Sequence, residues 1–535
     1  MTHVPPSRRS RLVATSAAGL LAVAGGVLTA SPAAAGTACD TVPELMQCVT
    51  VEGVQEHLTA LQTIADANGG NRASGLPGHT ASADYVQRRL EAAGYKVTRQ
   101  PFDFAYYELV GTPTFAQTSP QPMDHVYGED FQDMSYSGSG TVSGTVVPVD
   151  VDSATSGCEA ADFAAEVAGQ VALIKRGTCP FADKAANAVA AGAVAAIIYN
   201  DGADPDREGL IAGTLGGPVA IPVLDTTFAL GPQLAGTSVA IDIDTVSETR
   251  STENVIAELP GRASHDVVGI GAHLDSVAEG PGINDNGTGS AAILEVAENL
   301  AGTRPENAIR FFWWGAEESG LVGSQYYVDS LSQGQVKKFS AYLNFDMLGS
   351  PNFARFVYDG DGSTFPAPDG YVTPESAAIE QLFESFYDSR GLTYEDTEFD
   401  GRSDYGAFAN AGVPSGGLFS GAEDIMSEEQ AIRYGGTAGQ PFDPCYHDTC
   451  DDITNLDLEV LEQNADAVAY ATLTLAVKGH RGGNRRNWTL RHGGAASVLG
   501  PAPRSRSRPG CAPARAPGRG NARHAGTSWG PGALT

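Results

Sequence analysis

Apolar and polar positions over residues 51–95 recur at helical spacing. Val54, Leu58, Leu61 and Ile64 share one face of a first predicted helix. Tyr85, Val86 and Leu90 share a face of a second, ahead of a strand predicted over 96–104. After residue 248 the pattern changes to short, continuously apolar runs at 267–272, 309–314 and 341–345, with an amphipathic helix over 289–300. Such runs, buried on both faces and alternating with helices, predict an α/β fold with a mostly parallel central sheet and helices on both faces. In open sheets of this kind the active site lies at the carboxyl ends of the strands.

A different rhythm occupies residues 128–248. Strands are predicted at 144–149, 171–175, 195–199 and 220–224, and a helix at 182–191. This reads as an inserted small α/β domain that divides the main domain into 36–127 and 249–478. The segment VALIKRGTCPFADKAANAVAAGAVAAIIYN at 171–200 resembles the protease-associated (PA) domain, with its Arg-Gly-x-Cys-x-Phe core at Arg176–Phe181 and an Ala-Ala-Gly helix end at Ala190–Gly192. The resemblance implies a module that sits within or beside peptidases. No acid, base or ligand cluster falls inside it, so it reads as a lid or spacer, with a specific binding role as the alternative.

The ends of the chain differ from its body. Arg8, Arg9 and Arg11 precede an apolar run over 12–28 and the small residues Ala33, Ala34 and Ala35, the pattern of a signal peptide cleaved before Gly36. Residues 479–535 carry ten arginines and no acidic residue among many Gly and Pro, which predicts a basic, disordered tail. A functional arm, a segment removed on maturation and a frameshifted translation are its three readings.

Seven cysteines in an exported chain are read as disulfides. The close pairs are Cys39 with Cys48, Cys158 with Cys179, and Cys445 with Cys450, and Cys511 is left over. A net charge of -31 argues against nucleic-acid partners, and no later segment is long and apolar enough to span a membrane. A secreted, monomeric protein acting on peptides or proteins is the expectation.

Candidate chemistry gathers where apolar runs stop. GAHLDS puts His273 at a strand end, with Asp275 two residues on to orient its imidazole. In GINDNGTGS, Asp285 stands in a glycine-rich loop ahead of a helix. FFWWGAEESG ends in the adjacent carboxylates Glu317 and Glu318, NFDML carries Asp346, and CYHDTCDD carries His447 between two cysteines. Two histidines and three carboxylates without a thiolate suit zinc. One bridging carboxylate with two terminal ligands on each side would hold two ions about 3.5–4 Å apart. A further carboxylate, Glu317, is then free to act as a base.

These segments resemble the secreted zinc aminopeptidases of family M28 over roughly 51–126 and 252–478. The resemblance implies that His273 and Asp346 bind one zinc, Glu318 and His447 the other, and that Asp285 bridges them. It further implies Glu317 as general base and Tyr446 as the group that steadies the oxyanion. FDGRSDYGAFANAGVPSGGLFSGAE extends the match and places Arg402 near the substrate's amino group with Glu317 and Asp346, through its main-chain carbonyl rather than its guanidinium.

Phe419, Ile425 and Met426 are candidates for an apolar pocket favouring leucine-like residues, with core packing as the other explanation. Glu462 and Asp466, one helical turn apart, read as an exposed polar face rather than as calcium ligands. A carboxypeptidase or dipeptidase of the same fold would need a basic cluster at the pocket, and between Gly401 and Glu423 only Arg402 is basic. A glutaminyl cyclase would lack one zinc's ligands, and a non-catalytic binding protein would lack ligands or base.

Overall fold

A computed structural model describes residues 39–211, 213–262 and 266–477. The predicted signal peptide and the basic tail with Cys511 lie outside the described residues. Eight strands form the first sheet, in the order Val97–Leu109, Thr245–Leu259, Ala308–Trp314, Val267–His273, Phe339–Phe345, Ser415–Phe419, Phe356–Tyr358 and Glu395–Thr397. Its four central strands run parallel, while the long pair at one margin and the Phe356–Tyr358 contact at the other are antiparallel.

The apolar runs are continuous because the sheet is covered twice. Along Ala308–Trp314, Phe311 and Trp313 pack under Val51–Ala67, Pro77–Ala93, Gly289–Leu300, Pro374–Arg390 and Leu458–Val477. Phe312 and Trp314 face the opposite way, against Tyr327, Tyr342 and Phe408. Alternate side chains of a strand point to opposite faces, so both sets must be apolar. Thr50 caps the first long helix by accepting the N–H of Gly53 at 3.1 Å, and Gly94 ends the second at a φ of 97°.

Sequence pattern sets the edges of the insertion at 128 and 248, whereas strand pairing sets them near 110 and 244. Val97–Leu109 and Thr245–Leu259 pair from Val97 opposite Ala257 to Leu109 opposite Thr245, so the chain leaves and re-enters the first sheet at neighbouring points. Thr114–Ser119 and Met123–His125, expected in the main domain, instead join the second eight-stranded sheet through Ser238–Ile243. These strands are short and half polar, so apolar periodicity does not mark them. The strand expected at 220–224 runs over Val223–Thr226, beginning after Pro222, which has no N–H to donate to a ladder.

All three expected cysteine pairs are disulfides. Cys39 is bonded to Cys48 and so ties the first short helix, Val42–Cys48, to the residues before it. Cys158 is bonded to Cys179 inside the insertion, and Cys445 to Cys450 around His447. Asp466 pairs with Arg390 at 2.9 Å, and Glu462 is exposed. Among the described residues, no helix is long and apolar enough to cross a membrane.

Candidate metal centre

His273 is the last residue of its strand, which lies in parallel register between Ala308–Trp314 and Phe339–Phe345. Neighbouring parallel strands end along one line. The acids that follow the apolar runs, Glu317, Glu318 and Asp346, are therefore delivered beside His273. Asp285 comes from the turn Ile283–Thr288 that leads into the helix Gly289–Leu300. Gly289 lets that helix start against the end of the Phe345 strand, since a Cβ there would collide with the main-chain oxygen of Phe345. His447 arrives on the five-residue separation closed by Cys445 and Cys450.

Asp285 turns its two oxygens to different histidines. Oδ1 lies 3.2 Å from Nε2 of His273 and Oδ2 lies 3.2 Å from Nε2 of His447. On the first flank His273 Nε2 is also 3.2 Å from Asp346 Oδ1, and on the second His447 Nε2 is 3.1 Å from Glu318 Oε2. Glu318 Oε1 is buried without a hydrogen-bond partner among the described residues. His273, Asp285 and Glu318 form one group of donors that could hold a cation, and His273, Glu317 and Asp346 a second. Glu317 is buried and lines the same cavity, and among the described residues its carboxylate accepts no hydrogen bond.

Electrostatics reflect more carboxylates than cations. Burial opposes charge on His447, but its hydrogen bonds with Asp285 and Glu318 outweigh that and push its pKa up to about 10. The Asp346 and Glu317 charges likewise hold His273 well above its ordinary value against its burial. Burial raises Glu318 to about 7 and, with the Asp404 and Glu318 charges, lifts Glu317 well above the carboxylate range. Burial and the charges of Asp285 and Glu318 raise the Tyr446 phenol, so it keeps its proton. The ring of Tyr446 stacks on His447 at 3.9 Å.

The contacts of Asp275 and Arg402 take particular forms, and two of the three expected pocket residues lie elsewhere. Asp275 meets His273 Nδ1 through its main-chain carbonyl at 3.1 Å, with its carboxylate farther off at 3.7 Å. That carboxylate also accepts the N–H of Glu317 at 3.3 Å. The Arg402 guanidinium, which is not expected to reach the substrate's amino group, sits 2.8 Å from Glu423 and donates to the Tyr446 hydroxyl at 3.3 Å on the exposed rim. Of the three proposed pocket residues only Phe419 lines the cavity. Met426 is buried in a separate cluster with Ala354 and Phe442, and Ile425 is 58% exposed.

The supports of the centre are residues that sequence reasoning missed. Ser403 donates to Asp346 Oδ2 at 2.5 Å and accepts from Asn344 at 2.8 Å, fixing that carboxylate. Asp451 accepts the N–H groups of Asn284 at 2.8 Å and of Asp285 at 3.0 Å. Fully buried Arg72 donates to the main-chain oxygens of Leu274, Pro281 and Gly282, bracing the strand end and the turn together. Ser403 and Asp451 stand in segments already singled out, next to Arg402 and His447. Nothing local distinguishes Arg72, whose partners lie some two hundred residues away.

Comparison with known proteins agrees with this architecture. Residues 254–472 match the model of peptidase family M28, and residues 142–234 match that of the PA domain. An aminopeptidase of Pseudomonas aeruginosa is 49% identical over 443 residues, covering 81% of this chain and 82% of that protein. A probable leucine aminopeptidase 2 of Aspergillus oryzae is 41% identical, covering 83% of this chain and 88% of its own length. Among solved structures, an aminopeptidase from Aneurinibacillus matches with a TM-score of 0.61 at 25% identity, covering 82% of this chain and 97% of that one. A zinc aminopeptidase from Bacillus subtilis matches with a TM-score of 0.53 at 26% identity, covering 79% and 95%. With its strand-end donors, its inserted second sheet and relatives matched over four fifths of its length, the chain belongs to peptidase family M28 and carries an inserted PA domain.

Proposed function

We propose that this protein is a secreted, zinc-dependent aminopeptidase that removes single residues from the amino termini of peptides and proteins. The observation that carries the reading is the two-sided carboxylate of Asp285, flanked by one histidine and one further carboxylate on either side. Relatives named as aminopeptidases support it.

His273 and Asp346 would hold one zinc, Glu318 and His447 a second, and Asp285 both. Nitrogen and oxygen donors without a thiolate, a buried Glu318 oxygen with no partner and an excess of carboxylates fit a pair of dications. Bound there, zinc supplies Lewis-acid polarisation of the scissile carbonyl and lowers the pKa of water.

Glu317 is the general base: its carboxylate takes up a proton and passes it to the leaving amine nitrogen. Tyr446, which keeps its proton, donates its hydroxyl to the oxygen that gains negative charge at the scissile carbon. Asp275 keeps Nδ1 of His273 protonated through its main-chain carbonyl. The main-chain carbonyl of Arg402 and the carboxylates of Glu317 and Asp346 receive the substrate's α-ammonium, which favours a free terminus over a chain interior. A pocket for a substrate carboxylate would need free basic side chains, and the one arginine that lines the cavity is paired with Glu423.

Residues 1–35 direct export, and three disulfides suit an oxidising compartment. The test is hydrolysis of amino-acid 4-nitroanilides beside their amino-acetylated counterparts, with chelator and zinc restoration. Activity confined to free amines, lost on chelation and regained with zinc, is expected. Hydrolysis of the acetylated set, or none by zinc-loaded protein, would refute the reading.

A further inference from the structure

Beyond the metal donors, the cavity has two kinds of wall. Met347, Tyr358 and Phe419 form a largely buried apolar side. The exposed carboxylates of Glu398, Asp400 and Asp424 line the cavity as well. The cation among the lining residues besides the histidines is Arg402, already matched by Glu423 at 2.8 Å. No ion pair among the described residues reaches Glu398 or Asp424, and Asp400 accepts only from the N–H of Arg402 at 2.9 Å and the hydroxyl of Tyr405 at 2.7 Å. All three line the same cavity, and burial, followed by the Asp400 and Asp424 charges, raises the pKa of the Glu398 carboxyl. The buried carboxylate of Glu317 lines the same cavity.

We propose that this cavity selects substrates whose first residue is cationic, arginine or lysine. Their aliphatic stem lies along Met347, Tyr358 and Phe419, and their charged head meets Glu398, Asp400 and Asp424. The inference rests on the aminopeptidase reading of the centre and names the substrate class that reading leaves open. Arginine and lysine join an apolar stem to a charged tip, and the lining of this cavity offers both apolar and acidic surface. Leucine fills the apolar side but leaves three like charges uncompensated, and an acidic residue is repelled by them. The α-ammonium cannot account for the same carboxylates in a comparison of side chains, because every free-amine substrate carries one.

Arginine and citrulline differ in charge and hardly in shape, so their 4-nitroanilides isolate the effect. Full-length, zinc-loaded protein is expected to show a higher kcat/KM for arginine than for citrulline at low salt, with the ratio falling as salt screens the rim. Exposed pairs of this kind are worth roughly a two- to fivefold factor each. Glu398→Gln and Asp424→Asn should each lower the arginine-to-citrulline ratio by about that factor, and the double variant by more. Both residues are exposed, so the variants are expected to fold.

Competition by argininamide and citrullinamide for the cavity, measured by calorimetry, reads the same preference without turnover. No hydrolysis of any free-amine anilide, with argininamide still bound more tightly than citrullinamide, would sink the aminopeptidase reading and leave the pocket assignment standing. Equal treatment of arginine and citrulline by the unaltered protein in both assays, or a ratio untouched by the double variant, would overturn the assignment.

Discussion

Asp451 accepts the main-chain N–H of Asp285 at 3.0 Å through one carboxylate oxygen, while its other oxygen accepts the neighbouring N–H of Asn284. The proposed bridging ligand is thus held by the residue that follows Cys450, which ties the His447 loop to the Asp285 turn. Asp451→Ala would leave two buried donors without partners, at about 1–3 kcal/mol each. Reduced thermal stability and a zinc affinity lower by roughly 10- to 100-fold are expected, read by calorimetry and by titration with a competing chelator. Unchanged zinc affinity would mean that the turn holds Asp285 without this support.

Glu317→Ala removes the proposed base and leaves the five proposed ligands in place. Turnover should fall by roughly 10²- to 10⁴-fold while zinc content stays at the level of the unaltered protein. Retained activity would remove Glu317 from its role, and lost zinc would make it a ligand.

His447→Ala should instead lower zinc stoichiometry, because it deprives one flank of Asp285 of its nitrogen donor. Metal analysis after dialysis checks this directly. Full metal content with an unchanged rate would be incompatible with His447 as a ligand.

Away from the centre, Glu380 is buried among Asp359, Asp361, Glu384 and Asp396, and burial followed by those charges raises its pKa to about 8. The folded protein therefore binds this proton more tightly than the unfolded chain, whose carboxyl titrates near 4.5. Its contribution to stability is complete below the lower value and is lost as pH rises through the upper one. Glu380→Gln removes the titration, so the melting temperature of the variant relative to the unaltered protein should climb between pH 5 and 8. A constant offset across that range would show that Glu380 titrates normally.

The α/β class and the strand-end donors His273, Glu318 and Asp346 were legible in the sequence for one physical reason. Strands buried on both faces must be continuously apolar, so a carboxylate at the end of such a run marks the edge of the sheet. In a parallel sheet those edges align, and the register of three neighbouring strands brings His273, Glu317, Glu318 and Asp346 together. The disulfides were legible for a related reason, since Cys39 and Cys48, like Cys445 and Cys450, are too near in the chain to need a distant partner.

Tertiary structure decided what rests on contacts between distant segments. Thr114–Ser119 joins the insertion because it pairs with Ser238–Ile243, a choice its own few residues do not encode. The direction of the Arg402 side chain depends on the position of Glu423, and the grip of Asp451 on Asp285 spans 166 residues. The acidic wall of the cavity draws Glu398 and Asp400 from one loop and Asp424 from another. Local periodicity reports which side of an element is buried, whereas the partner met there is fixed only when the whole chain has packed.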